Sequence, residues 1–598
     1  MCGIAGWIGP DVGWRTDTWC GGLRRRGPDG SGVWSDSEAT LVHTRLAVID
    51  LSEASAQPMT AVSSSGSVRA AMVFNGEIYN FRDLRDSLAR DGVNWRSDGD
   101  AEVLLELFAR DRDACLPSLA GMFAFAFWDP ARRQAWLARD AFGIKPLYYR
   151  IEGRTLAFAS QASLLTRSTD GVDSAALRDF LMWGSVPEPA TLDPAVRLLP
   201  AGHWLKFDAA SGAVSIGRWH HPRWNEPTVG MTRASAAATV RAALEESVRR
   251  HLVSDVPVGV FLSGGIDSTV VLALTRNALG PDADIRTFSI GFDDPGYDES
   301  AIARRTAEAF GTVHTEWRMT ADEGAAEIPA FLDAVDQPSI DGFNTWCVAK
   351  LARREGMKVV LSGLGGDEWF GGYDSFRRVP QFRHLHRMPA GLRSMIASLL
   401  RVFPPGSLWR RLAAFLRSGG SRLDAYHVQR GIFTRDEADL IAQRLAGLSV
   451  AESADTIDDD PACDGRAAVG CLEVTRYMRN QLLRDSDVFS MAHGLELRVP
   501  MVDGRLADAL LTIPPELRLL HGKRLLLDAV PEVPRWVAEQ PKRGFRFPFR
   551  QWLTSGFGGM LAKAARVSPV TLREWYRTWA VAIAIECLER RNHDHAGT

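Results

Sequence analysis

The run Val256-Pro257-Val258-Gly259-Val260-Phe261-Leu262 passes directly into Ser263-Gly264-Gly265-Ile266-Asp267-Ser268. The first seven residues read as a buried strand, and a helix is expected from Thr269 to Ala278. A strand, a glycine turn and a helix N-terminus form a phosphate-binding unit. Small residues let backbone N–H groups approach the anion, and the helix dipole favours negative charge there. The loop lacks the Gly-x-x-x-x-Gly-Lys-Ser/Thr spacing of a Walker A motif. Asp267 supplies carboxylate oxygen of the kind a hard cation such as Mg²⁺ requires.

Two further apolar strands are expected nearby. Ile285-Arg286-Thr287-Phe288-Ser289-Ile290-Gly291-Phe292 precedes Tyr297-Asp298-Glu299. Lys358-Val359-Val360-Leu361 leads into Ser362-Gly363-Leu364-Gly365-Gly366-Asp367-Glu368. Strands alternating with helices imply a parallel sheet, whose ligands bind at the carboxyl ends of the strands. Further on stand Asp487 to Pro500, Asp503 and Lys542-Arg543-Gly544-Phe545.

The first two hundred residues have a different texture: short strand-like runs separated by polar or Gly-rich turns. The chain starts Met1-Cys2-Gly3-Ile4-Ala5-Gly6. Removal of Met1 would put a thiol and a free α-amino group on one residue. An α-amino group titrates at about 7.7–8.0, so it can serve as the thiol's base. The turn Arg25-Arg26-Gly27-Pro28-Asp29-Gly30 follows, then His43 to Asp50, and a strand Ala70 to Phe74 ending in Asn75-Gly76-Glu77. Read singly, Asn75-Gly76 is a hairpin signal. Ser97-Asp98-Gly99-Asp100 is expected to cap an amphipathic helix from Ala101 to Arg110. Gly121 to Trp128 is an aromatic strand, and residues 206–230 read as an irregular connection. A helix is expected over Ser235–Leu252.

At 598 residues, 46% of them apolar and 24% charged, the chain holds more than one globular domain. A net charge of −3 argues against a general nucleic-acid or anionic-membrane binder. Seven scattered cysteines without a Cys-x-x-Cys pair suit a reducing compartment without disulfides or a zinc site, so a cytoplasmic location is expected. No apolar run reaches transmembrane length, and no signal peptide is visible. Lysine is scarce beside arginine, seven residues against 63, so each lysine carries information.

Taken together, residues 2–205 resemble the class II glutamine amidotransferase domain, an N-terminal-nucleophile hydrolase. The whole chain looks like the asparagine synthetase B family, which joins that domain to an ATP-pyrophosphatase-type synthetase. The fold class implied is α/β: an α-β-β-α sandwich over 2–205, a linker over 206–230 and a parallel-sheet ligase domain over 231–598. By this resemblance Cys2 attacks the glutamine amide, and Asn75 and Gly76 form the oxyanion hole. Arg45 holds the α-carboxylate, and Glu77 and Asp100 lie near the α-ammonium. Ser263, Gly264, Gly265, Asp267 and Ser268 hold pyrophosphate and Mg²⁺, which Asp367 shares. Leu262, Ile290, Ser362 and Gly363 line the adenosine pocket, and Lys542 stabilises charge at the reacting carbon. The implied reaction adenylates a carboxylate with ATP and amidates it with ammonia from glutamine. The implied partners are small molecules: L-glutamine, ATP and an acid acceptor. A homodimer is left open as the assembly.

The chain departs from the pattern of its relatives at Arg25, Ala141 and Gln161, and in the segment Asp336 to Asp341. The departure at Leu364 matters most. Asparagine synthetases carry Glu there, and leucine cannot bind an ammonium group. The expected acceptor is therefore a less polar carboxylic acid than aspartate. Two alternatives share the fold, an intramolecular cyclase and a non-catalytic homologue. Intact Cys2, Asn75 and Gly76 disfavour the first, and intact Asp267 and Asp367 the second.

Overall fold

The structure is a computed structural model. It describes residues 2–594 except 64–65, 91, 168, 225–226, 295, 405, 448, 452–462, 464, 542–547, 549–551 and 553–557. Lys542 to Phe545 therefore lie outside the described residues.

The N-terminal part is two six-stranded sheets, antiparallel throughout. The first contains β1 (Cys2–Ile8), β2 (Gly30–Ser35), β3 (Ala39–Arg45), β8 (Tyr148–Glu152), β9 (Thr155–Ala159) and β10 (Val196–Leu198), in the order β10-β8-β9-β1-β3-β2. The second contains β4 (Met59–Val62), β5 (Val68–Ile78), β6 (Gly121–Asp129), β7 (Gln134–Arg139), β11 (His203–Asp208) and β12 (Val214–Arg218), in the order β12-β11-β7-β6-β5-β4.

Period-two alternation sorts each strand's residues between two interfaces. Ile4 and Ile8 of β1 face Ala124, Ala126 and Trp128 of β6 between the sheets. Ala5 and Trp7 point the other way, onto Trp19 and Leu23 of the helix Thr16–Leu23. Phe123, Phe125 and Phe127 pack outward on Val103, Leu104, Leu107 and Phe108 of the helix Asp100–Asp111. The result is the expected α-β-β-α sandwich. The expected irregular connection needs correction: 206–218 is mostly β-sheet, because His203–Asp208 and Val214–Arg218 extend the second sheet as a hairpin on β7.

The C-terminal part is built on a five-stranded parallel sheet, β15-β14-β13-β16-β17. Its strands are β13 (Val258–Phe261), β14 (Arg286–Phe292), β15 (Val313–Met319), β16 (Val359–Leu361) and β17 (Glu496–Arg498). The helix Arg233–His251 precedes the sheet, and Ile266–Leu279 follows β13 at once. Val260, Leu272, Phe288, Val360 and Leu497 lie in the large core around this sheet. Helices from Ser375 to Arg430 form a satellite lobe with a core of its own. Among the described residues no helix is long and apolar enough to cross a membrane.

Candidate active sites

In the N-terminal sandwich, the β1/β3 register sets Cys2 opposite Arg45. Asn75, Gly76 and Glu77 lie inside β5, not in a turn after it. Asn75 Oδ1 accepts from the Cys2 backbone N–H at 3.1 Å. The Asn75 Nδ2 group is buried without a hydrogen-bond partner among the described residues. A Cβ on Gly76 would overlap the Met122 carbonyl oxygen on β6, so only glycine fits there. Cys2, Arg45, Gly76, Glu77 and Asp100 line one small cavity, together with Leu46 and Phe74. The sequence-predicted glutaminase residues thus converge.

Arg45 is fixed from the rim. Its guanidinium donates to the Ser52 carbonyl at 2.8 Å and to the Asp50 carbonyl. Asp50, in a left-handed conformation at φ 48°, accepts from both Ser52 and Ser55 hydroxyls at 2.6 Å. Asp100 heads its helix, but its carboxylate accepts from the Ile78 N–H at 2.8 Å rather than capping. Burial pushes the Asp100 carboxyl up to about 6. Burial also raises the Cys2 thiol, and it raises Glu77 well above the usual carboxylate range, reinforced by the nearby Glu496 and Asp100 charges.

In the C-terminal part, β13 passes through a glycine turn straight into a helix N-terminus. Gly264 adopts φ 76°, in the left-handed region. The Ser263 hydroxyl lies 3.1 Å from that of Ser268, and the Ser268 hydroxyl donates to the Gly265 carbonyl at 3.1 Å. The helix Ile266–Leu279 has Gly265 at its N-cap with no side-chain cap, which leaves the first backbone donors facing the loop. The loop after β16 presses against it. A Cβ on Gly363 would crowd the Ser268 N–H, and one on Gly366 would overlap the Asp267 carboxylate. Asp267 and Asp367 consequently converge on one point, where the Lys523 ammonium pairs with both. Burial opposes that charge, but the two carboxylates raise the Lys523 pKa above its ordinary value.

Two carboxylates that already hold a cation between them are a donor set suited to Mg²⁺. Among the described residues no group of three or more His, Cys, Asp or Glu forms a cage for a metal on its own. Leu262 and Ile290 have their side chains buried in the core. A nucleotide beside them would meet backbone and the loop residues Ser362 and Gly363. Leu364 is half-buried against the edge of the same core.

Sequence reasoning missed Lys523, although the scarcity of lysine was a usable signal. It also missed the buried charges between the two parts. Arg26 donates to the Cys2 carbonyl at 3.3 Å and pairs with Asp487 at 2.8 Å. Asp487 pairs with Lys145 at 3.2 Å. Lys145 projects from a turn whose N–H groups at Phe142, Ile144 and Lys145 all donate to Asp140. On β17, Arg498 pairs with Glu496 and lies 3.8 Å from Glu77. The wall of the Cys2 pocket is therefore in contact with the parallel sheet.

A larger cavity of about 720 Å³ opens beyond the carboxyl end of β14, walled by Trp183, Tyr297, Tyr477, Trp575 and Trp579 among others.

A buried thiol at the start of a two-sheet sandwich, coupled to a parallel-sheet phosphate loop with paired carboxylates, defines a glutamine-dependent amide-forming ligase. Comparisons with known proteins agree. Residues 1–219 match the profile of the glutamine amidotransferase domain, and residues 239–596 match that of asparagine synthase. The chain belongs to the asparagine synthase family. It is 33% identical over 538 residues to asparagine synthetase [glutamine-hydrolyzing] 1 of Bacillus subtilis, covering 88% of this chain and 83% of that one. It is 30% identical over 379 residues to asparagine synthetase B of Escherichia coli, covering 61% and 62%. It is also 28% identical over 602 residues to a protein of Gibberella zeae named amidase chry2, covering 89% and 84%.

Proposed function

We propose that the chain amidates a carboxylic acid lacking an α-ammonium group beside the reacting carbon, using ATP and the ammonia of glutamine. The observation that carries the reading is the convergence of two separate reactive constellations, one around Cys2 and one around Asp267 and Asp367, in a single chain.

At the first, the Cys2 thiol of the Met1-processed chain gives its proton to its own α-amino group and attacks the glutamine carbonyl. The oxyanion meets the unpartnered Asn75 Nδ2 donor and the Gly76 N–H. A preformed pair of donors of this kind lowers the barrier because it needs no reorganisation during the reaction. The C–N bond breaks and ammonia leaves. Water then hydrolyses the thioester to glutamate.

At the second, an acceptor carboxylate oxygen attacks the α-phosphorus of ATP, and the bond to pyrophosphate breaks. The Ser263–Ser268 loop and Lys523 hold the departing pyrophosphate. Asp267 and Asp367 would hold Mg²⁺, which would supply charge neutralisation there. Ammonia attacks the acyl carbon, loses a proton and displaces AMP, leaving an amide. Lys542 stands for the charge at that carbon. Leu364 offers no partner to an ammonium group, and an unpaired charge is costly to bury, so aspartate is disfavoured.

The test is Cys2→Ala. Glutamine-dependent synthesis is expected to vanish, while synthesis from added ammonium salt persists with AMP and pyrophosphate as products. Loss of the ammonium-dependent reaction in a folded Cys2→Ala protein, or formation of ADP and phosphate, would refute the two-site reading.

A further inference from the structure

The larger cavity beyond β14 has a size and lining that say more about the acceptor. At about 720 Å³ it is several times larger than a four-carbon amino acid requires, and it falls in the range of pockets built for ring-sized ligands. It opens at the carboxyl edge of the parallel sheet, since Tyr297 follows β14 there. A single layer joins it to the adenylation loops. The Arg430 guanidinium stacks on Tyr477 at 3.8 Å and on Tyr373 at 4.2 Å. The Tyr373 hydroxyl donates to Glu368 at 2.8 Å, and Glu368 is the neighbour of Asp367.

Two kinds of group line the wall. One is aromatic: Trp183 and Tyr426 stack on each other at 6.1 Å, and Trp579 is fixed by its indole N–H on the Ile340 carbonyl at 3.1 Å. The other is polar. Gln429 Oε1 is buried without a hydrogen-bond partner among the described residues, and the cavity also presents Asn344, Gln481 and Asp341. Tyr477, Asn480 and Gln481 come from Glu473–Leu483, an eleven-residue π-helix. That conformation is rare and is found most often at functional sites.

A flat aromatic or aliphatic acid would satisfy the rings but leave the Gln429 oxygen and its neighbours buried against hydrocarbon, at a cost for each. A site built with such groups rejects ligands that lack the matching hydroxyl. A hydroxylated ring satisfies both: its C–H face lies on the aromatic walls and its hydroxyls meet the amides and the carboxyl. We propose that the acceptor is a carboxylic acid carried on a hydroxylated ring, of the hexuronic acid class. Its ring occupies this cavity and its carboxylate reaches toward Asp267 and Asp367. The product is the primary amide, with AMP and pyrophosphate released as above. This rests on the reading of the chain as an ATP-dependent amide ligase.

The experiment offers the purified full-length protein D-galacturonate and D-glucuronate, free and as methyl glycosides, beside L-aspartate and phenylacetate. ATP, Mg²⁺ and ammonium salt are saturating. Pyrophosphate is measured, amide products are identified by mass spectrometry, and binding of each acid is followed by titration calorimetry. A uronic acid is expected to give amide and pyrophosphate with kcat/KM at least tenfold above aspartate and phenylacetate. Gln429→Leu is expected to raise its KM about tenfold or more while glutaminase activity stays unchanged. Preference for aspartate or phenylacetate, with AMP formed, overturns this inference and leaves the ligase reading standing. No binding and no turnover of any uronic acid likewise overturns it. Formation of ADP from every acid overturns both.

Discussion

Lys523 shows what one residue can decide. It is the only described lysine that bridges two carboxylates, and those carboxylates are the ones that point at the phosphate loop. Its raised pKa keeps it cationic, so it can serve as a counter-ion to pyrophosphate. Lys523→Met is expected to lower pyrophosphate release about a hundredfold, the scale for losing one preorganised electrostatic partner, with glutaminase turnover unaffected. An unchanged rate of pyrophosphate release would remove Lys523 from the site. The same residue marks a limit of sequence reading. Its His521-Gly522-Lys523 setting has no recognisable motif, and only the fold brings it 256 positions back to Asp267. Cys2, Asn75, Asp267 and Asp367 could be nominated from sequence because each stands in a short string whose chemistry is local.

Among the elements, β5 is the most constrained. It carries three site residues in succession and pairs with β6 over its length, Asn75 opposite Ala124 and Gly76 opposite Phe123. Gly76→Ala would drive a methyl group into the Met122 carbonyl. Overpacking of this kind costs about 1–3 kcal/mol, and the strand would shift and carry Asn75 with it. The expected outcome is a lowered melting temperature and loss of glutaminase, with ammonium-dependent synthesis retained. Wild-type glutaminase in Gly76→Ala would show that the close approach is not required. The strand also explains why Asn-Gly misleads as a turn signal here. The glycine is needed for a neighbour's carbonyl rather than for a reversal, and local sequence cannot tell the two apart. The β13 and β16 strands were legible as apolar runs, and β14 from the alternating Phe288, Ile290 and Phe292. β17 was not, since Glu496-Leu497-Arg498 is a strand with two charged residues that pair with each other once buried.

Over the whole molecule, buried titratable groups pull stability in opposite directions. His43 is depressed by burial to about 3, and His220, His251, His427 and His493 to about 4. An unfolded histidine titrates near 6.5. The stability tied to these neutral rings is complete above that pH and is lost as pH falls toward 4. Asp100, Glu368 and Asp485 are raised by burial to about 6, 7 and 8. Their contribution is present at low pH and is lost as pH rises from the unfolded carboxylate range through those values. The two limbs place maximum stability between about pH 6 and 7. Thermal melts from pH 4.5 to 9 should peak there, and Asp485→Asn should flatten the alkaline limb. A melting temperature that climbs steadily to pH 9 would contradict this balance.

The charges buried between the two parts of the chain also bear on how such proteins can be recombined. Arg26, Glu77 and Lys145 belong to one part, and Asp487 and Arg498 belong to the other. Separating partners of this kind leaves an ion stranded away from water, which costs about 3–5 kcal/mol. A chimera that takes its amidotransferase half from one relative and its synthetase half from another inherits half of a lock. It would be viable only where the five residues travel together, so the heritable unit in this architecture is the seam as much as either domain.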